Sequence, residues 1–270
     1  MCTLVTSFVD LANHFMKTSL LSLALLCGLA ACACAEQITV AAAADLNYAL
    51  KDLASRFQQE TGHKVVLSFG ASGNLYSQIQ SGAPYDVFFS ADSAYPNKLA
   101  AAGMIDKASL ETYAVGHLVL WVPTSSKLDP QRRKMDLLLD TSVRRIAIAN
   151  PEHAPYGSAA MAALEHFQMN GRLAGKLVLG ENVSQAAQYV QSGNAQAGLI
   201  AESLAVSPGM QDAGKYWVVP ADAYPELRQV VGILARSKHK PTSQAFLRFV
   251  VSPEGAAVLK RYGFGVSATQ

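Results

Sequence analysis

Apolar residues along this chain switch repeatedly between two spacings. Short runs rich in Val, Ile, Phe and Ala alternate with stretches in which apolar residues recur every third or fourth position. The first spacing marks buried strands and the second marks helices with one face against a core. The first pair is a strand over 37–43 and a helix over 46–61, which carries Leu46, Leu50, Leu53 and Phe57 on one stripe. The same reading predicts strands over 64–69, 86–90, 113–122, 146–149, 176–179, 198–200, 216–219 and 229–234. Between and after them it predicts helices over 74–81, 95–102, 157–167, 184–192, 243–251 and 253–261. Gly103 and Gly193 close two of these helices and Pro123 closes the long strand.

Such repeated strand–helix–strand units build parallel sheets with helices on both faces. The long strand over 113–122 and the return over 225–234 are expected to cross between two lobes. Open sheets of this kind bind ligands beyond the carboxyl ends of their strands, where helices begin. Three turns of small and hydroxyl residues lie at such ends: Phe69-Gly70-Ala71-Ser72-Gly73-Asn74, Ala154-Pro155-Tyr156-Gly157-Ser158 and Glu181-Asn182-Val183-Ser184. Unpaired N–H groups and the aligned peptide dipoles make a helix start favourable to negative charge. Three converging starts therefore predict a site for a small anion.

Residues 1–35 have a different character. Met16-Lys17-Thr18-Ser19, the apolar run from Leu20 to Ala31, and Ala33-Cys34-Ala35 have the order of a secretory signal peptide with an A-x-A cleavage site. Residues 1–15 read as an upstream extension from a mis-called start. Leu29-Ala30-Ala31-Cys32 also has the form of a bacterial lipobox, which leaves lipid anchoring at Cys32 as an alternative. Cys2, Cys27, Cys32 and Cys34 all lie in this segment, so residues 36–270 offer no thiol for a disulfide, a metal or a nucleophile. With 22 Lys and Arg against 20 Asp and Glu, the net charge is +2, and nothing points to nucleic acid. The histidines at 63, 117, 153, 166 and 239 lack metal-ligand spacing, and Gly70-Ala71-Ser72-Gly73 lacks the lysine of a phosphate-binding P-loop. Asp86 and Asp92 flank a strand and are expected to brace turns. No metal, cofactor or catalytic pair is predicted, and Ser158 lacks the G-x-S-x-G context of a hydrolase nucleophile.

The segments Phe69-Gly70-Ala71-Ser72-Gly73-Asn74-Leu75, Gly82-Ala83-Pro84-Tyr85-Asp86-Val87-Phe88-Phe89-Ser90-Ala91-Asp92 and Ile148-Ala149-Asn150-Pro151-Glu152-His153-Ala154-Pro155-Tyr156-Gly157 carry a family resemblance. Gly180-Glu181-Asn182-Val183-Ser184-Gln185-Ala186 and Arg261-Tyr262-Gly263-Phe264 extend it. Together they resemble the periplasmic molybdate-binding proteins of bacterial ABC importers. The resemblance implies an α/β, two-lobed Venus-flytrap fold, each lobe a mostly parallel sheet flanked by helices. Lobe I would comprise 36–115 plus 225–270, and lobe II 116–224. It further implies a monomeric periplasmic receptor that closes on molybdate or tungstate without a cofactor, rejects the smaller sulfate, and delivers its ligand to an inner-membrane permease with its ATPase.

Carried over position by position, the resemblance makes Ser72 a donor through hydroxyl and N–H, and Tyr156 and Val183 donors through backbone N–H. Ala44, Ala71, Gly73, His153, Gly157, Asn182 and Ala201 fall around them. Two positions depart from the pattern: Ala44-Asp45 replaces Ser, Thr or Asn, and Ala201 stands where some members place a tyrosine. Ionised Asp45 at ~4 Å from a dianion would be repelled by a few kcal/mol at an effective dielectric near 20. Three roles are open: a helix cap bonded to the N–H of Asn47 or Tyr48, a protonated donor, or an acceptor for a protonated oxyanion such as phosphate or a small carboxylate. A secreted hydrolase is the reading from another class, and the chain lacks the nucleophile–base pair it needs.

Overall fold

The alternating pattern resolves into two five-stranded sheets in the computed structural model, which describes residues 35–266. The expected leader, with its four cysteines, lies outside the described residues. The strands are β1 (Gln37–Ala43), β2 (Lys64–Gly70), β3 (Val87–Ser90), β4 (Glu111–Gly116), β5 (Leu118–Pro123), β6 (Ile146–Ala149), β7 (Leu177–Gly180), β8 (Ala197–Ala201), β9 (Gly214–Val218) and β10 (Leu227–Ile233). Seven longer helices accompany them: α1 (Ala49–Thr61), α2 (Ser72–Gln80), α3 (Ala94–Ala101), α4 (Pro155–His166), α5 (Val183–Gln191), α6 (Lys240–Val251) and α7 (Pro253–Arg261). One sheet has the order β2-β1-β3-β10-β4 and the other β7-β6-β8-β5-β9.

The sheets share one plan. β1 pairs parallel with β2 and β3, and β10 runs antiparallel to β3 and β4. Likewise β6 pairs parallel with β7 and β8, and β5 runs antiparallel to β8 and β9. The reversed strand in each sheet is the one on which the chain arrives from the other sheet. Phe57, Phe88, Phe89 and Phe246 are fully buried around the first sheet, with Phe57 and Phe246 edge-to-face at 5.1 Å. Trp121, Ile146, Ile148 and Leu199 fill the second. This apolar filling on both faces explains why most strands read as continuous runs rather than strict alternations.

Two expectations about the crossings are corrected. The strand predicted over 113–122 is two strands, β4 and β5, one in each sheet, broken at His117. Burial on both sides of the break hides the change of sheet from an apolarity pattern. The return expected over 225–234 occurs earlier, over 219–226, and β10 lies wholly in the first sheet. The two crossings touch: the Leu118 N–H donates to Tyr224 Oη at 3.0 Å.

The helix starts are corrected as well. α2 and α4 each begin two residues before the predicted position, at Ser72 and Pro155. Their N-cap residues are Ala71 and Ala154, which have no side-chain oxygen to announce a start or to cap one. Instead of one helix over 46–61, a 3-10 turn at Ala44–Leu46 precedes α1.

Candidate functional site

Register brings the three turns to one level. In the first sheet Ala43 pairs with Gly70, so the turn after β1 and the start of α2 leave side by side. In the second, Ala149 pairs with Gly180, which aligns the starts of α4 and α5. Between them lies one small cavity. Ala43, Ala44, Asp45, Gly70, Ala71, Ser72 and Ala91 line it from the first sheet, and Ala154, Pro155, Tyr156, Asn182 and Val183 from the second. No Lys, Arg or His is among these lining residues.

The donors follow from helix position. Ser72 is the first residue of α2, Tyr156 the second of α4 and Val183 the first of α5. N–H groups in the first turn of a helix have no intrahelical acceptor. Of these three helices only α5 carries a side-chain cap, in which Asn182 accepts from the Gln185 N–H at 3.1 Å. Ser72 is fully buried, and its Oγ accepts from the Ala91 N–H at 3.0 Å. Its hydroxyl hydrogen therefore remains a donor. Three of the predicted binding residues thus meet at one cavity as neutral donors.

Asp45 meets them there too, but not as a helix cap. Neither the 3-10 turn nor α1 has a side-chain cap, and the Asp45 carboxylate is buried. Its Oδ2 accepts from Gln229 Nε2 at 2.5 Å, while its Oδ1, equally buried, has no partner. Gln229 is held by Tyr113, whose Oη donates to Gln229 Oε1 at 2.6 Å, and lies 3.4 Å from Tyr156 Oη. Burial pushes Asp45 up to about 6, against the opposing effect of its bond to Gln229 and of the nearby Tyr156 hydroxyl. Burial, with the charge of Asp45 adding to it, also raises Tyr113 and Tyr156 well above the usual phenol value. Gly116 makes this packing attainable: a Cβ there would collide with Tyr156 Oη and Gln229 Nε2.

Backbone and hydroxyl bonds draw the two sheets together around the cavity. Gly73 N–H donates to His153 O, Ser184 Oγ to Ala44 O, and Ser203 Oγ to Asp45 O, each at 2.8 Å. Gly73 and His153 therefore bridge the sheets rather than line the cavity, His153 through its carbonyl. The His153 ring is half exposed, lies 3.7 Å from Glu152 and does not line the cavity. Gly157 packs on the Ala149 backbone, and Ala201 is buried at the end of β8 opposite Leu118; neither lines the cavity. Asp86 and Asp92 brace turns, accepting from the Thr39 N–H at 2.8 Å and the Tyr95 N–H at 3.2 Å. Sequence reasoning misses Gln229 and Tyr113. They sit on strands β10 and β4, and no local motif marks a polar side chain that is used through the sheet.

A family model described as "Bacterial extracellular solute-binding protein" matches residues 38–265. The chain is 41% identical over 249 residues to "Molybdate-binding protein ModA" of Azotobacter vinelandii, covering 92% of this chain and 98% of that protein. It is 35% identical over 249 residues to the protein of the same name from Rhodobacter capsulatus, covering 92% and 96%. Among solved structures, the periplasmic molybdate-binding protein of Azotobacter vinelandii matches with a TM-score of 0.81 and 34% identity, covering 86% of this chain and 100% of that one.

Proposed function

The chain belongs to the family of bacterial extracellular solute-binding proteins, and on that premise we propose that it is the receptor of an ABC importer that captures molybdate. The observation that supports this most is the pair of uncapped helix starts, α2 and α4, facing one small cavity with the Ser72 hydroxyl between them. A tetrahedral dianion supplies the missing cap. It accepts from the N–H groups of Ser72, Tyr156 and Val183 and from the Ser72 hydroxyl, while the helix dipoles offset its charge. Neutral donors avoid burying an unpaired cation when the site is empty. Closure excludes water and strengthens each bond.

The work of closing falls to the bonds from Ser184, Ser203 and Gly73 across the cleft, with the crossings at 116–118 and 219–226 as hinges. On this reading lobe I comprises 36–115 plus 225–270 and lobe II 116–224. Tungstate, with the same charge and nearly the same size, is captured alongside molybdate. Sulfate fits poorly in a cavity whose donors are fixed by backbone. The protein works in the periplasm as a monomer, hands its ligand to a membrane permease driven by an ATPase, and catalyses no reaction.

Thermal unfolding with molybdate, tungstate, sulfate, phosphate and citrate, each at about 1 mM, tests this reading. A ligand at 1,000 times its dissociation constant adds ~4 kcal/mol, at ~2–4 °C per kcal/mol for a chain of this size. Shifts with molybdate and tungstate alone are expected. A larger shift with phosphate or citrate, or none with molybdate, would overturn it.

A further inference from the structure

A carboxylate in the wall of an anion cavity runs against the rest of the lining. Asp45 is 1% exposed and lines the cavity beside Ser72. Its Oδ2 is occupied by Gln229, and its Oδ1 has no hydrogen-bond partner. The titratable groups that face it are Tyr113 from β4 and Tyr156 from α4, both neutral phenols. From β10 it meets only the Gln229 amide. Ser184 and Ser203 bond the backbone carbonyls of Ala44 and Asp45, not the carboxylate. Among the described residues, no Lys, Arg, His or Glu of β2, α1, α5 or Glu202–Ala205 lies within hydrogen-bond or ion-pair distance of that carboxylate. No cation stands beside it, and the oxyanion would add two more charges of the same sign.

Resting on the oxyanion reading above, we propose that Asp45 is a proton-carrying ligand: its carboxylate takes one proton from solvent as the anion binds, and the resulting O–H at Oδ1 donates to an anion oxygen. The balance is one proton and one dianion entering together, with no bond in the anion broken. The repulsion between Asp45 and the ligand becomes a hydrogen bond, and Oδ1 gains the partner it lacks. Burial has already brought this group to about 6 before any anion arrives, so the proton is held at modest cost near neutrality. Above that value the binding-competent, protonated fraction falls tenfold per pH unit, and the apparent dissociation constant rises in proportion.

The test is isothermal titration calorimetry of the purified protein with sodium molybdate, at pH 7.5 in two buffers of different ionisation heat. Close to one proton taken up per anion is expected, together with an affinity that weakens about tenfold from pH 6.5 to 7.5 and again to 8.5. Asp45→Asn should take up no proton and bind with an affinity independent of pH. Wild-type binding without proton uptake, with a flat pH profile, would overturn the proposal and leave the receptor reading standing. So would uptake that persists in the variant. Binding of none of the oxyanions would overturn both. Should the variant not fold, the wild-type uptake and pH slope decide alone.

Discussion

Replacing Asp45 by Asn should change how the stability of the ligand-free protein depends on pH. The carboxyl group is fully buried and rises from its ordinary 3.8 to about 6, chiefly through loss of hydration. A rise of that size means the folded chain disfavours the ionised form by ~3 kcal/mol. The sign follows from proton binding. The folded state holds this proton more tightly than the unfolded state, so stability falls as pH rises between about 4 and 6. The cost is absent well below pH 4 and complete above about 6. The asparagine of the variant cannot ionise, and whatever constant effect its amide has on packing against Gln229 cancels when two pH values are compared. From pH 4.5 to pH 8, wild type should therefore lose ~2 kcal/mol relative to Asp45→Asn. Urea unfolding of both proteins without ligand measures this. With a slope of ~3 kcal/mol per molar, the gap between midpoints should widen by ~0.7 M. Curves that stay parallel across this range would refute the assignment of Asp45 as a buried, weakly held anion.

The close packing at Gly116 predicts that Gly116→Ala displaces Tyr156 or Gln229, lowering stability by ~1–3 kcal/mol and weakening molybdate binding. Urea midpoints and calorimetry should move together, and an unchanged affinity would contradict the packing argument. Ser184→Ala and Ser203→Ala each remove one bond across the cleft, worth ~1 kcal/mol. The double variant should weaken binding by roughly 5–30-fold with secondary structure intact, and small-angle scattering with ligand should show a larger open fraction. His117, between the two sheets, is raised above its ordinary value mainly by its bond to Glu202, 3.0 Å away, assisted by Gly263 O. Its contribution is present below about pH 6.5 and is lost as pH rises through the higher folded value. The NMR titration midpoint of His117 should lie above 6.5 and fall in Glu202→Gln.

Much of this architecture is legible in the sequence because its determinants are local. The stripe Leu46, Leu50, Leu53 and Phe57, and the apolar runs at 37–43 and 146–149, sit where periodicity places them. The turns that hold Ser72, Tyr156 and Val183 are legible because each lies between a strand and a predicted helix, while the three residues as a ligand set come from the family resemblance. What stays hidden depends on partners distant in sequence. From its neighbours Asp45 keeps three roles open, the helix cap among them, and only the approach of Gln229, 184 residues away, shows the carboxylate turned into the interior. The early starts of α2 and α4 escape because alanine is a silent cap, and that silence is what leaves their N–H groups for a ligand. The break at His117 escapes because both flanking strands are apolar, so a change of sheet leaves no mark on the pattern.

The central claim is that one oxyanion is held between the two sheets by the starts of α2, α4 and α5. A crystal structure of the protein grown with molybdate, with the metal located by its anomalous scattering, tests this most directly. One peak is expected in the cavity, its oxygens within hydrogen-bond distance of Ser72 Oγ and of the N–H groups of Ser72, Tyr156 and Val183, with Asp45 Oδ1 as a further contact. A metal peak elsewhere, or a cavity closed on itself with no peak while molybdate still binds in solution, would contradict the account.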